Sequence, residues 1–115
     1  MKSFGSSKEF IFGKNTPWDE VGEGVRRQIM AYDDKIMLVN VEFKKGGIGV
    51  MHQHYHSQVT YVISGSFELT IGDETKILHG GDAFYIPPNI LHGAVCLEDG
   101  ILIDVFSPIR EDFME

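Results

Sequence analysis

The sequence has little of three things that would direct an interpretation elsewhere: cysteine, basic residues and long apolar runs. Its 115 residues include one cysteine, Cys96, which excludes an intramolecular disulfide and agrees with a reducing compartment. Ten lysine and arginine residues against 17 acidic ones give a formal net charge of −7, which argues against a nucleic-acid partner. No apolar run is long enough to span a membrane. The first residues also lack the apolar core of a signal peptide, so we expect a cytoplasmic protein without a membrane partner.

Glycine, in contrast, is plentiful, with 13 residues that divide the chain into short β-branched and aromatic runs. This pattern is typical of an all-β sandwich or barrel, and the length fits one domain over residues 1–115. We expect about nine strands in a small closed double-sheet barrel, with residues 1–15 as a peripheral segment. The predicted strands are 37–43, 59–63, 67–71, 75–78, 83–86 and 101–106.

The links between these strands have their own signals. Ser64-Gly65 predicts a turn, and residues 16–24 predict a loop that opens with a short helix after Thr16. Pro87-Pro88-Asn89 ends the strand before it and predicts a turn that sends a short strand back along residues 83–86. The tail from Pro108 predicts one further helical turn.

Histidines at alternate positions form the most informative pattern in the sequence, MHQHYHSQ at 51–58. His52 and His54 point to the same face of a strand, and their imidazoles can converge on one ion. A straight strand would carry Gln58 roughly 20 Å from His52, so the chain must reverse near residues 55–57. Gln58 then opens the returning strand opposite His54, and His56 stays near the turn, at the mouth of the site, without being a ligand. His92, after the proline turn, is the expected fourth ligand.

These spacings resemble those of the cupins. Gly46, His52, His54, Gln58 and Gly65 stand at the spacings of the first cupin motif, with glutamine in place of the usual glutamate. Gly81, Pro87 and His92 match the second motif, in which Asn89 replaces a glycine that a turn with positive φ would favour, and Cys96 replaces an asparagine. The resemblance implies a single-domain cupin, a double-stranded β-helix or jelly-roll barrel.

Glutamine in the ligand set changes the expected chemistry. A neutral amide leaves the full double charge of a divalent ion uncancelled, which makes the ion a stronger Lewis acid and a better anion trap. It also makes stabilisation of a higher oxidation state harder, which argues against a dioxygenase. We expect one divalent transition metal, nickel or zinc first, with manganese and iron as alternatives, since nitrogen-rich ligation disfavours calcium and magnesium.

The last predicted strand, ILIDVF at 101–106, contains one charge, Asp104. Burial would raise the pKa of this carboxyl towards the range of a general acid, although a structural network would explain Asp104 equally well. Arg110 lies close enough in sequence to fold over the same opening and clamp a carboxylate, or to be a solvated tail residue.

TPW near the start, GVRRQI at 24–29 and ILIDVFSPIREDF at the end resemble the KdgF-type pectin-degradation cupins over nearly the whole chain. This resemblance implies a cytoplasmic isomerase of carbohydrate metabolism that converts 4,5-unsaturated monouronates, from pectin or alginate, to the linear keto form. It implies His52, His54, Gln58 and His92 as metal ligands, Asp104 as the catalytic acid or base, and Phe106 and Arg110 as its neighbours. The alternatives are a non-catalytic cupin that binds a sugar acid and a cupin dioxygenase.

Partner predictions follow from the same observations. The resemblance implies a small anionic sugar acid as substrate. The last strand is apolar on both faces, and the first 15 residues lie outside the expected core, so we predict a homodimer. Whether Arg26 or Arg27 reaches the substrate is left open by the sequence.

Overall fold

The computed structural model describes residues 2–115 and forms one antiparallel β-structure with two short 3₁₀ helices. Among these residues no helix is both long and apolar enough to cross a membrane. The strands are β1 Asp19–Gly22, β2 Val25–Asp33, β3 Ile36–Phe43, β4 Ile48–His52, β5 Ser57–Ile71, β6 Glu74–His79, β7 Ala83–Ile86 and β8 His92–Ser107. The 3₁₀ helices are η1 Gly13–Asn15 and η2 Glu111–Phe113. The predicted all-β cupin architecture is confirmed, with eight strands among residues 2–115 instead of the expected nine or so.

Two long strands, β5 and β8, hold the two layers of the barrel together. They pair with each other from Ser57↔Ser107 to Ile71↔His92. The second half of β8 pairs with β3, which continues to β2 and β1, whereas its first half pairs with β4. Likewise β5 pairs with β7 near its start and with β6 near its end. Each long strand therefore belongs to both layers, and the interior lies between them.

The interior contains an apolar core cluster that adjoins the cavity of the candidate site. Strand β3 alternates between buried and less buried residues, as its sequence predicts. Met37, Val39 and Val41 from β3 pack with Val62 and Phe67 from β5 in the central core cluster. Full burial of side chains of this size contributes about 1.5–3 kcal/mol each, so this cluster is a main source of the stability of the fold.

Several predicted boundaries are wrong. Ser64-Gly65 is not a turn, because β5 runs through it with irregular register on both sides. Residues 19–22 are strand β1 and not a loop, and the first 3₁₀ helix lies before Thr16 instead of after it. The last strand begins at His92, nine residues before the expected Ile101. It pairs with β4 and β5 there, and not with residues 83–86.

Other local predictions are confirmed. The turn at Pro87-Pro88-Asn89 is present, and Asn89 has a φ of 66°, the conformation for which an asparagine substitutes well for glycine. The helical turn expected in the tail is η2. Residues 53–56 connect the end of β4 at His52 to the start of β5 at Ser57.

Candidate metal centre

The centre is built where β4 ends and β8 begins. His52 is the last residue of β4, His92 is the first residue of β8, and the two are partners in the strand register. Their imidazole centroids therefore lie 4.4 Å apart. His54 follows in the connection to β5, with its ring 4.8 Å from that of His92. Sequence reasoning expected Gln58 to face His54 across a β4–β5 pair, but both strands pair with β8 instead.

The three imidazoles have the geometry of a ligand set. One ring nitrogen from each of His52, His54 and His92 lies within 4.8 Å of the other two. The Nδ1 atom of each ring lies near a backbone carbonyl, which can only accept a hydrogen bond. The proton of each neutral ring therefore belongs on Nδ1, leaving the Nε2 lone pair for a cation. Nδ1 of His52 lies 2.7 Å from the carbonyl oxygen of Val50, and Nδ1 of His54 lies 3.3 Å from that of His56. Nδ1 of His92 lies 2.8 Å from the carbonyl oxygen of Ile90.

Burial keeps two of these histidines, His54 and His92, neutral and ready for a cation. It lowers the pKa of His54 to about 4, with the charge of Arg110 adding to the effect. It lowers the pKa of His92 as well. The Nε2 atom of His92 is buried without a hydrogen-bond partner among residues 2–115. A bound divalent ion would satisfy this atom, so the donor set fits a transition metal such as zinc or nickel.

Gln58 lies beside the three histidines and could offer its amide oxygen to the same ion. Its side chain is buried, and Oε1 lies 3.1 Å from the Nε2 of His54. The amide nitrogen donates to the Thr60 hydroxyl at 3.0 Å and to Oδ1 of Asp104 at 3.4 Å, which orients the oxygen towards the histidines. When the His54 proton is on Nδ1, the lone pairs of His54 Nε2 and Gln58 Oε1 face each other. A cation bound by both atoms would stabilise this arrangement.

Asp104 lies beside this set, on β8. Its Cα is the register partner of Thr60, whose hydroxyl donates to Oδ1 at 2.6 Å. Burial raises the pKa of Asp104 to about 6, against the opposing effects of the Thr60 hydrogen bond and the Arg110 charge. The side chain lines a cavity of about 320 Å³, which it shares with His52, His92 and Gln58.

Phe106 and Arg110 also line this cavity. Phe106 is buried opposite Gln58 in the register, with its ring 5.7 Å from that of His54. The Arg110 guanidinium lies 4.9 Å from the Phe106 ring centroid. It donates to both carboxylate oxygens of Asp112, at 3.0 and 2.8 Å. Arg110 is therefore a buried, structured side chain and not a solvated one.

His56 lies next to the metal cluster, with its ring 5.3 Å from that of His54, but it is not one of the three clustered histidines. The side chain is 4% exposed, and Nε2 lies 3.1 Å from the carbonyl of Ile109 and 2.7 Å from Oε1 of Glu111. Tyr55 donates a hydrogen bond to the other oxygen of the Glu111 carboxylate. His56 therefore links the β4–β5 connection to η2, the segment next to Arg110.

Sequence reasoning did not select Thr60 or Phe113, and it left Arg27 open. Thr60 shares the parity of Gln58 on a strand, so the alternation rule offered a signal for it. Phe113 follows Arg110 by three residues on η2, and its ring lies 5.7 Å from that of Phe106. Both Arg27 and Phe113 line the cavity.

Residues 39–106, which include all four candidate ligands and Asp104, match the cupin domain family. The chain belongs to the cupin family. Within that family this cupin is similar to the pectin degradation protein KdgF of Dickeya dadantii (strain 3937). The two are 46% identical over 109 residues, which cover 93% of this chain and 99% of the relative.

Solved structures agree with this placement. An RmlC-like cupin from Shewanella frigidimarina is 45% identical with a TM-score of 0.91, over 94% of this cupin and 97% of that chain. KdgF from a Halomonas species is 40% identical with a TM-score of 0.88, over 93% and 99% of the two chains. This cupin is therefore KdgF-like over nearly its whole length.

Proposed function

We propose that this cupin is a metal-dependent enzyme that opens the ring of 4,5-unsaturated monouronates and delivers the linear keto acid. The observation that carries the proposal is the position of Gln58. One end of its amide lies 3.1 Å from His54 in the metal cluster, and the other lies 3.4 Å from the carboxyl of Asp104. A Lewis-acidic centre and a proton-transfer group are thus separated by a single buried side chain. The similarity to KdgF proteins, whose name refers to pectin degradation, supports the same substrate class.

His52, His54, His92 and Gln58 would hold one divalent metal. When bound, the metal would supply Lewis acidity to oxygen atoms on which negative charge develops. All four ligands are neutral, so the positive charge of the centre stays available to an anionic substrate.

Asp104 performs the proton transfers in this proposal. The anomeric hydroxyl of the cyclic substrate loses a proton, the bond between carbon one and the ring oxygen breaks, and an aldehyde and an enolate result. The enolate then becomes a ketone as carbon four gains a proton. No atoms are gained or lost overall, so one carboxyl can accept the first proton and return it to carbon four. A pKa of about 6 leaves both forms of Asp104 populated near neutral pH.

The neighbouring residues orient this carboxyl and the substrate. Thr60 holds Oδ1 of Asp104, while Oδ2 has no hydrogen-bond partner among residues 2–115 and is the oxygen that serves the transfer. Phe106 gives the cavity an apolar wall. Arg110 supplies positive charge that orients the carboxylate of the sugar acid.

A ring-opening assay tests the proposal. Unsaturated monouronate is generated with a lyase, and the loss of its ultraviolet absorbance is followed with metal-loaded protein, with chelated protein and without protein. We expect acceleration that chelation abolishes and that zinc or nickel restores without oxygen. Saturable binding without acceleration would support the sugar-acid-binding alternative, and a strict oxygen requirement would support a dioxygenase.

A further inference from the structure

Arg27 points into the barrel, whereas the adjacent Arg26 points out. Arg27 lies on β2 opposite Val41, and its side chain lines the same cavity as Asp104 and Arg110. Arg26 donates to Oε1 of Glu42 at 2.9 Å and stacks on the ring of Trp18 at 3.9 Å from its centroid. The alternation of side chains along a strand separates the two arginines. Of Arg26 and Arg27, it is Arg27 that faces the space in which a ligand would bind.

The guanidinium of Arg27 has no polar partner among residues 2–115. No carboxylate lies within 4.0 Å of it, and its Nε is buried without an acceptor. Its recorded contact is with the ring of Phe113, 3.7 Å from the centroid. Burial lowers the pKa of Arg27, although Asp19 opposes the shift. A buried charged donor without an acceptor is costly, and an anionic ligand would remove that cost.

Arg110 differs from Arg27 in this respect. Its Nε and one terminal nitrogen are already taken by Asp112, so its charge is partly compensated within the protein. The two guanidinium groups meet at Phe113, at 3.7 Å and 4.2 Å from the ring centroid. Bringing two like charges together favours an anion between or beside them.

The charge of the cavity wall also favours an anionic ligand. The chain has a net charge of −7, yet its cavity is lined by two arginines and one carboxylate, Asp104. An acidic protein repels small anions at long range, so it needs local positive groups to hold one. Arg27 offers the guanidinium that no protein carboxylate occupies.

We infer that Arg27 is a recognition residue for the carboxylate of the sugar acid, acting with Arg110, which contacts the same Phe113 ring. The inference rests on the proposed function for the identity of the ligand. Charge-assisted, two-pronged binding by a guanidinium contributes about 1.5–3 kcal/mol. Removing it should therefore weaken ligand binding about ten- to hundredfold.

The test compares Arg27→Gln and Arg27→Lys with the matched control Arg26→Gln on the same strand. We expect Arg27→Gln to raise KM about tenfold or more while kcat changes less than about threefold, since Arg27 binds but does not transfer protons. Arg27→Lys should recover part of the lost affinity, because lysine keeps the positive charge. Recovery should be incomplete, because an ammonium group lacks the planar, two-pronged geometry of a guanidinium. Arg26→Gln should match the wild type. Metal content and thermal midpoint are measured for each variant, and Arg27→Lys decides the test if Arg27→Gln does not fold.

Calorimetry with galacturonate, a saturated uronate, separates this inference from the proposed function. If the wild type turns over substrate but Arg27→Gln behaves as Arg26→Gln in both KM and galacturonate binding, the assignment of Arg27 is wrong and the proposed function stands. If the wild type has no ring-opening activity, the proposed function is wrong. Galacturonate binding that Arg27→Gln weakens then still supports Arg27 as an anion-binding residue, and absent or unchanged binding overturns it.

Discussion

At the residue scale, Asp104 carries the most specific prediction, because it is the only carboxylate among residues 2–115 that lines the cavity. Asp104→Asn should lower kcat about hundredfold or more, since an amide cannot accept and return a proton. Asparagine keeps an oxygen that accepts the Thr60 hydrogen bond, so the fold and the metal ligands should be retained. The measurement is kcat and KM together with metal content.

The control for this substitution is Asp99→Asn on the same strand. Asp99 is exposed and accepts a hydrogen bond from the backbone of Lys45 at 2.7 Å, outside the cavity. The Asp99→Asn variant should keep the wild-type kcat. An Asp104→Asn protein that binds metal fully and keeps more than about a tenth of kcat would rule out the proton-transfer role.

Residue identity alone predicted part of this site and could not predict the rest. The alternation of His52, His54 and Gln58 is local, so the sequence displays it directly. The bond from Thr60 to Asp104 spans 44 residues and depends on the register of β5 against β8. Likewise, Arg110 has Asp112 as a partner, whereas Arg27 has no carboxylate partner among the described residues, and this difference depends on how η2 folds over the cavity. No spacing rule contains that information.

At the scale of elements, Gly65 explains why the strand boundaries were misplaced. It has a φ of 83°, and a Cβ built on it would lie 2.5 Å from the carbonyl oxygen of Asp99. Glycine is therefore needed for a close approach of β5 to β8 at an irregularity in the ladder. A glycine at a bulge and a glycine in a turn give the same local signal, and only the long-range pairing distinguishes them.

The N-terminal arm, residues 3–7, gives the prediction at this scale. The arm is hydrogen-bonded to the β2–β3 turn through Asp34. The Asp34 carboxylate accepts hydrogen bonds from the Ser3 hydroxyl at 2.6 Å and from the Phe4 amide at 2.8 Å. Both hydrogen bonds lower the pKa of Asp34, and the one from Ser3 has the larger effect. Because the pKa is lower in the folded state, the ionised carboxylate stabilises the fold at any pH above the pKa of the unfolded state, near 3.9. This stabilisation is lost as the pH falls through the pKa of the folded state.

Asp34→Asn should therefore lower the thermal midpoint and increase amide exchange in the arm at pH 6, with both differences from the wild type vanishing in strong acid. Asp33→Asn is the matched control, because Asp33 accepts only the amide of Lys35 within its own turn. Its arm exchange should match that of the wild type at every pH. Equal arm exchange in Asp34→Asn and the wild type at pH 6 would contradict the role of Asp34.

At the scale of the whole molecule, the outer face of β5 and β7 bears on the homodimer, which stays a prediction. Val59, Tyr61, Ile63 and Tyr85 make up this outer face, and each is about half exposed, at 50, 48, 47 and 56%. Val59 and Tyr85 are partners in the strand register, so the apolar surface is continuous. In a chain with a net charge of −7, an uncharged apolar face is where two copies repel least.

We propose that two copies meet through this outer face in a two-fold arrangement. Tyr85→Glu would place a charge in the contact on both subunits, so sedimentation velocity should find a dimer for the wild type and a monomer for this variant. Ile77→Glu is the control, since Ile77 is 53% exposed but lies on β6, outside this face, and it should stay dimeric. A monomeric wild type would exclude the homodimer. A dimeric Tyr85→Glu protein would exclude this face and direct attention to the first 15 residues, where Phe10 and Phe12 are 81 and 65% exposed.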